Sequence, residues 1–200
     1  LKPESSDKIT PDNWVAEILA DSTGNVWALI PDQGLFRFSG TDQVRHYPIT
    51  DKSNFKNESP ECIAVNKEGE VWVGTSANKN IMSICFQGDA IIVAIHEGEL
   101  FKYDTRTNIL ATIPFPGERK TFLRDVVCFG DELWVGSHHG LFIINEKKNS
   151  MLHLKEDLMR SFSLSDNIIY SIYKDIQGGI WIGTMFGGVN YLPNHRLSFD

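Results

Sequence analysis

An all-β fold built from repeated four-stranded units is what the 200-residue sequence predicts, and three observations carry the prediction. A tryptophan-centred segment recurs along the chain, the copies are spaced at forty-odd residues, and glycines flank each copy. Aligned on the tryptophan, the copies are GNVWALIPDQGLFRF (24–38), GEVWVGTSANKN (69–80), DELWVGSHHGLFIIN (131–145) and GGIWIGTMFGGVNYL (178–192). A weaker fifth, DAIIVAIHEGELFKY (89–103), carries Ile92 in the anchor position. Anchors 27, 72, 92, 134 and 181 lie 45, 20, 42 and 47 residues apart. Periods in the forties made of short β segments are those of propeller blades with four strands each. The fold class is therefore all-β, a β-propeller with about five blades visible, one of them incomplete.

The last copy serves as a template for one blade. NIIYSIYKD (167–175) is an apolar first strand, strand A, suited to the innermost position, where neighbouring blades crowd both faces. IQGG (176–179) turns the chain, with glycine where a hairpin needs positive φ. IWIGT (180–184) is strand B, whose Trp181 supplies a broad flat surface for packing. MFG turns back into strand C, GVNYL (188–192), and PNH leads to strand D, RLSFD (196–200), at the rim. The same order gives blades at 14–49, 61–80, 81–115, 123–154 and 167–200, all within one propeller segment spanning 1–200. The second is incomplete, because after GEVWVGTSANKN the chain passes directly to IMSICFQGD, the next strand A. Either this blade is truncated or residues are missing after Lys79, and the second reading is favoured, since half a blade would leave unpaired strand edges.

The glycines are thus backbone devices. A phosphate-cradling loop needs a helix start after its glycines, and here β-branched and aromatic residues follow instead. Trp27, Trp72, Trp134 and Trp181 are expected as core anchors.

Composition narrows the partners. Apolar residues make up 42% of the chain, enough for a sizeable core. Nineteen basic against 26 acidic residues leave a net charge of −7, which repels a phosphate backbone or an anionic membrane surface, so nucleic acid is not an expected partner. The longest apolar runs, such as Ala90–Ile95, fall far short of the ~20 residues a spanning helix needs. No initiator Met and no charged-then-apolar leader occupies residues 1–10, so the ends read as cut from a longer chain. Cys62, Cys85 and Cys128 lie in separate apolar stretches without CxxC spacing. Each is expected as a small buried hydrophobe, with the redox compartment left open.

The pattern in NIIYSIYKDIQGGIWIGTMFGGVNYL (167–192), seen again in VAEILADSTGNVWALIPDQGLFRF (15–38), resembles the two-component regulator propeller repeat. In that family the repeats build the extracytoplasmic sensor region of hybrid two-component histidine kinases, as seven-bladed propellers followed by an immunoglobulin-like domain and a membrane span. The resemblance implies a fragment of a seven-bladed propeller, a periplasmic location, and a noncatalytic sensing role directed at oligosaccharides in the regulation of polysaccharide utilisation. It also implies a homodimer formed through the parent chain and membrane attachment outside this segment. Nothing here resembles a kinase, a receiver domain or a DNA-binding helix pair, so signalling chemistry would lie elsewhere.

Blade topology selects a face for a ligand. The B-to-C turns and D-to-A connections emerge at one end, the A-to-B and C-to-D turns at the other. The A-to-B turns (STGN, KEGE, QGD, GDE, IQGG) are short and near-uniform, which reads as scaffolding. The B-to-C turns vary and mix donors, acceptors and aromatic surface, and variable loops on a rigid scaffold are where binding resides. The candidates for ligand binding are Trp14, Gln33, Asn78, His138, His139 and Phe186. Each has a plainer reading. Phe186 and Trp14 can stack on a pyranose or pack on a neighbouring blade. The His138-His139 pair suits a hydroxyl better than a metal, since adjacent strand residues point apart. Arg119 and Arg160 suit a uronate or sulfate, or simply solvent. No metal or cofactor is expected, and no catalytic residue is assigned.

Two other functions compete. A propeller lyase or hydrolase needs converging carboxylates, a histidine metal cluster or an activated nucleophile, whereas the turns offer Asp32, Glu97 and two histidines scattered over three blades. A protein-interaction scaffold of the WD-repeat kind fits the spacing but lacks the GH and WD dipeptides.

Overall fold

A computed structural model describes residues 14–31, 33–40, 43–48, 59–76, 79–115, 121–160 and 163–194. The described residues form seventeen strands and no helix. Two compact units divide the chain, Leu1–Phe86 and Gln87–Asp200.

In the first unit, β1 (Glu17–Ala20), β2 (Val26–Ile30), β3 (Gly34–Ser39) and β4 (Gln43–Pro48) make a four-stranded antiparallel meander. Beyond it, β5 (Pro60–Val65) and β6 (Val71–Thr75) form a two-stranded sheet. The chain then enters β7 (Ile81–Gln87), which belongs to the sheet β10-β9-β8-β7 with β8 (Ala90–Ile95), β9 (Glu99–Asp104) and β10 (Ile109–Ile113). The second unit continues with the meander β11 (Leu123–Phe129), β12 (Glu132–Ser137), β13 (Gly140–Asn145) and β14 (Ser150–Leu154). It ends in β15 (Ile169–Lys174), β16 (Ile180–Thr184) and β17 (Val189–Leu192). The strand expected at 196–200 lies outside the described residues. Each four-stranded meander is a propeller blade, and the fold class is the β-propeller read from the anchor spacing.

Burial follows strand position. β12 is buried along nearly its whole length, while β10 and β14, fourth in their meanders, are mostly exposed. A strand covered on both faces is apolar throughout, whereas an outer strand needs no such run. In the first unit Trp27, Leu29 and Leu35 pack against Ile63 of the two-stranded sheet, with Val71 and Val73 joining from β6. In the second, Trp134 and Leu141 pack against Ile169, Ile172 and Ile182.

Two of the four expected core anchors do not hold that role. Trp27 and Trp134 are buried, but Trp72 is 38% and Trp181 43% exposed. Side chains alternate along a strand, so Ile182 faces the preceding blade while Trp181 faces the opposite side. Trp72 sits on a sheet that stops at two strands.

The cysteines also depart from expectation. Cys62 is a buried thiol, whereas Cys85 and Cys128 are disulfide-bonded. Sequence spacing gave no sign of this, because the two lie on first strands of different blades.

Candidate functional site

The B-to-C turn end of the second unit gathers a cluster of rings and one cation. It forms where the entry to β11 meets the β8–β9 and β12–β13 turns. The Leu123 amide donates to the His96 carbonyl at 3.0 Å, and the His138 amide donates to the Phe122 carbonyl at 3.0 Å. These bonds fix both histidine-bearing turns to one segment. Gly98, with φ +94°, lets the first turn pass so close to Thr121 that an added Cβ would lie 2.6 Å from its carbonyl oxygen.

The side chains follow from that backbone. The His96 ring stacks on Phe122 at 4.6 Å, and His138 stands edge-on to both, 6.4 Å from His96 and 5.4 Å from Phe122. Arg124 Nε donates to His138 Nε2 at 2.9 Å, and its guanidinium lies over the Tyr170 ring at 5.1 Å. Because Nε2 accepts, the neutral ring carries its proton on Nδ1. Burial, then the charge of Arg124 and the neighbouring His96 and His139, hold the His138 pKa below its ordinary value. His138 is therefore a neutral acceptor at neutral pH. His96 Nδ1 is buried without a hydrogen-bond partner. Tyr170 is 54% exposed, so the Arg124–Tyr170 pair presents a cation and an aromatic face to solvent.

The other expected residues sit differently. His139 is exposed: its amide donates to Ser137 Oγ and its carbonyl accepts from His153 Nε2 at 2.7 Å. Phe186 is 78% exposed and has no ring partner among the described residues, while its amide donates to Asp166 Oδ2 at 2.9 Å. Trp14, 60% exposed, and Gln33 belong to the first unit. The Gln33 side-chain oxygen is buried without a partner, and its carbonyl accepts from His46 Nε2 at 2.9 Å. Asn78, Asp32 and Arg119 lie outside the described residues. Arg160 pairs with Asp157 at 3.2 Å on the surface.

Sequence reading missed His96, Phe122, Arg124 and Tyr170. A register signal was present for His96, which lies four residues after anchor Ile92, as His138 lies four after Trp134. It also missed a repeated acidic position. Glu17 of β1 accepts from the Ile63 amide of β5 at 2.6 Å, and Asp125 of β11 accepts from the Ile172 amide of β15 at 2.7 Å. These carboxylates join the first strands of adjacent blades within each unit. No group of three or more metal-ligating side chains occurs among the described residues. The cluster offers stacking, hydrogen bonding and one cation, which is binding chemistry.

Comparison with known proteins agrees with this architecture. Residues 163–186 match the family model described as the two component regulator propeller. The chain is 27% identical over 141 residues to histidine kinase P4 of Formosa agariphila, an alignment covering 67% of this chain and 10% of that protein. It is similar in structure to an extracellular domain from B. thetaiotaomicron described as that of a hybrid two component system, with a TM-score of 0.59, 16% identity, and coverage of 92% of this chain and 38% of that one. It is similar also to PorZ, a surface component of the type-IX secretion system of Porphyromonas gingivalis, with a TM-score of 0.66, 16% identity, and coverage of 96% and 34%. The chain thus spans a small part of the proteins it matches. It is a β-propeller segment carrying a two-component regulator propeller repeat.

Proposed function

We propose that this chain is a noncatalytic sensor segment of a hybrid two-component histidine kinase and response regulator, which binds oligosaccharides outside the cytoplasm, in the periplasm, to control polysaccharide utilisation. The observation that carries the reading is the regulator repeat at 163–186 within a chain aligned to a histidine kinase. Two features of the molecule support it. The Arg124–Tyr170 pair beside His138 offers an aromatic face and hydrogen-bonding groups suited to a pyranose. The disulfide-bonded state of Cys85 and Cys128 fits an oxidising compartment. Occupancy would act through a dimer of the parent chain, by differential affinity for two arrangements of that dimer.

Isothermal titration of the parent protein's complete sensor region against a glycan library tests the reading. A saccharide that binds, and binds at least about tenfold more weakly to Tyr170→Ala, supports it. No response to any saccharide removes the sugar assignment, and saccharide turnover lost in His138→Ala replaces sensing with catalysis.

A further inference from the structure

In the first unit the sheet of β5 and β6 stands beside the four-stranded meander β1–β4. With no third strand beside β6 among the described residues, the outer strands of the preceding blade are only partly covered. A cleft of about 520 Å3 opens there, between Leu35, Arg37 and Tyr47 on one side and Val71 with the Lys67–Gly69 turn on the other. That volume lies within the range of small-molecule sites, ~300–1,000 Å3.

The charges in the cleft are unequal in availability. Asp21 lines it, but its carboxylate already accepts from the Thr23 amide and hydroxyl, the Asn25 amide and side chain, and the Trp27 indole. Arg37 is the opposite case. Its guanidinium lies over the Trp27 ring at 5.5 Å, its Nε is buried without a hydrogen-bond partner, and it has no ion pair among the described residues. Stacking on an indole fixes the plane of the guanidinium and leaves its edge to meet a carboxylate or sulfate through two hydrogen bonds. Lys67, exposed at the mouth, adds a second cation, against which stands the exposed Glu68. Tyr47, stacked on Trp27 at 5.7 Å, joins Leu35 and Val71 in an apolar wall beside the cation.

We infer that this cleft binds a small oxyanion, a carboxylate or a sulfate ester, carried on a ring, with the anion on Arg37 and the ring against Tyr47, Leu35 and Val71. The site goes beyond the sensing role proposed above and does not depend on it, because none of its residues belongs to the Arg124–Tyr170 cluster.

The test follows the Trp27 indole N–H resonance of the protein while phenyl β-D-glucuronide, phenyl sulfate and the neutral phenyl β-D-glucoside are titrated in turn. Both anions should shift that resonance saturably, and the glucoside should bind at least about tenfold more weakly. Arg37→Gln should weaken the anions by about tenfold or more, and Lys67→Gln, at an exposed turn where folding is not at stake, by about threefold. Tyr170→Ala should leave all three titrations unchanged, which separates this cleft from the cluster of the second unit. Equal binding of glucoside and glucuronide, anion binding untouched by Lys67→Gln in a folded protein, or no anion binding at about 10 mM overturns the inference.

Discussion

The Trp27 indole nitrogen donates to the Asp21 carboxylate at 2.9 Å, six residues back across the first A-to-B turn, and Trp181 makes the same bond to Asp175 at 2.9 Å. The aspartate also accepts turn amides, from Thr23 and Asn25 in one case and from Gln177 and Gly179 in the other. One side chain thus closes the hairpin and orients the indole, which at Trp27 packs against the neighbouring sheet. Asp21→Ala removes an acceptor from an indole nitrogen and two amides, and should cost about 2 kcal/mol of stability in chemical denaturation. An unchanged midpoint would show that water replaces the carboxylate without loss.

The same carboxylates set an acid limit. Burial raises the Asp21 pKa, but the hydrogen bonds from Asn25, Thr23 and Trp27 together outweigh it and hold the group below the usual carboxylate range. Asp175 is lowered first by the Trp181 bond and Asp166 first by the Phe186 amide. A depressed folded-state value means stability fully present above the unfolded value, about 3.9, and lost as pH falls through the folded one. Stability should therefore drop steeply below about pH 4, and Asp21→Asn should flatten that slope. An identical slope in the variant would remove Asp21 from the acid transition.

His138 titrates by the opposite chemistry with the same sign. Burial and the adjacent Arg124 hold its pKa below the ordinary value, so the unfolded chain takes up this proton first as pH falls. Its contribution is complete above about pH 6.5 and declines as pH falls toward the folded value. Histidine ring shifts should show His138 less protonated than an exposed histidine at the same pH. Arg124→Gln should raise its pKa, and no rise would assign the shift to burial alone.

How much of this was legible in the sequence follows from which interactions are local. The strands and turns were, since tryptophan spacing, β-branched runs and turn glycines act within one hairpin. The blade contacts were not. Asp125 meets Ile172 across 47 residues, and Arg124 meets Tyr170 across a similar separation, with no periodic signal to announce either. The exposure of Trp181 is likewise set by what stands beside its sheet. A hairpin reading sees the indole but not its neighbour.

Asp125→Ala strips the amide of Ile172, itself a buried residue, of its side-chain acceptor and should cost about 1–3 kcal/mol. Asp125→Asn keeps an acceptor oxygen and should recover most of that. Equal losses in the two variants would show that charge, not acceptance, matters at this junction.

The disulfide-bonded cysteines give a test tied to location. A bond taking up Cys85 and Cys128 closes a loop of ~40 residues, and restricting the unfolded chain over that length stabilises by about 4 kcal/mol on the chain-entropy account. Reduction should lower the melting temperature of the wild-type protein while leaving Cys85→Ser/Cys128→Ser unaffected. Equal melting with and without reductant would make the bond irrelevant to folding.

A glycine stands two residues after three of the anchors, and at Gly136 it faces the first strand of the next blade, whereas at Gly183 it faces Ser171 of its own blade's first strand. At Gly136 an added Cβ would lie 2.8 Å from Ile169 Cγ2, and Ile169 is fully buried, so it has nowhere to move. At Gly183 the nearest atom is the Ser171 hydroxyl, 2.6 Å away, at the end of a short side chain that can rotate. Overpacking a closed core costs about 1–3 kcal/mol, whereas a rotatable neighbour yields for less. Gly136→Ala should therefore destabilise the protein markedly more than Gly183→Ala in parallel denaturant titrations. The reverse order would mean that the two positions differ in tightness from what their contacts show, and that the glycines answer to strand geometry instead.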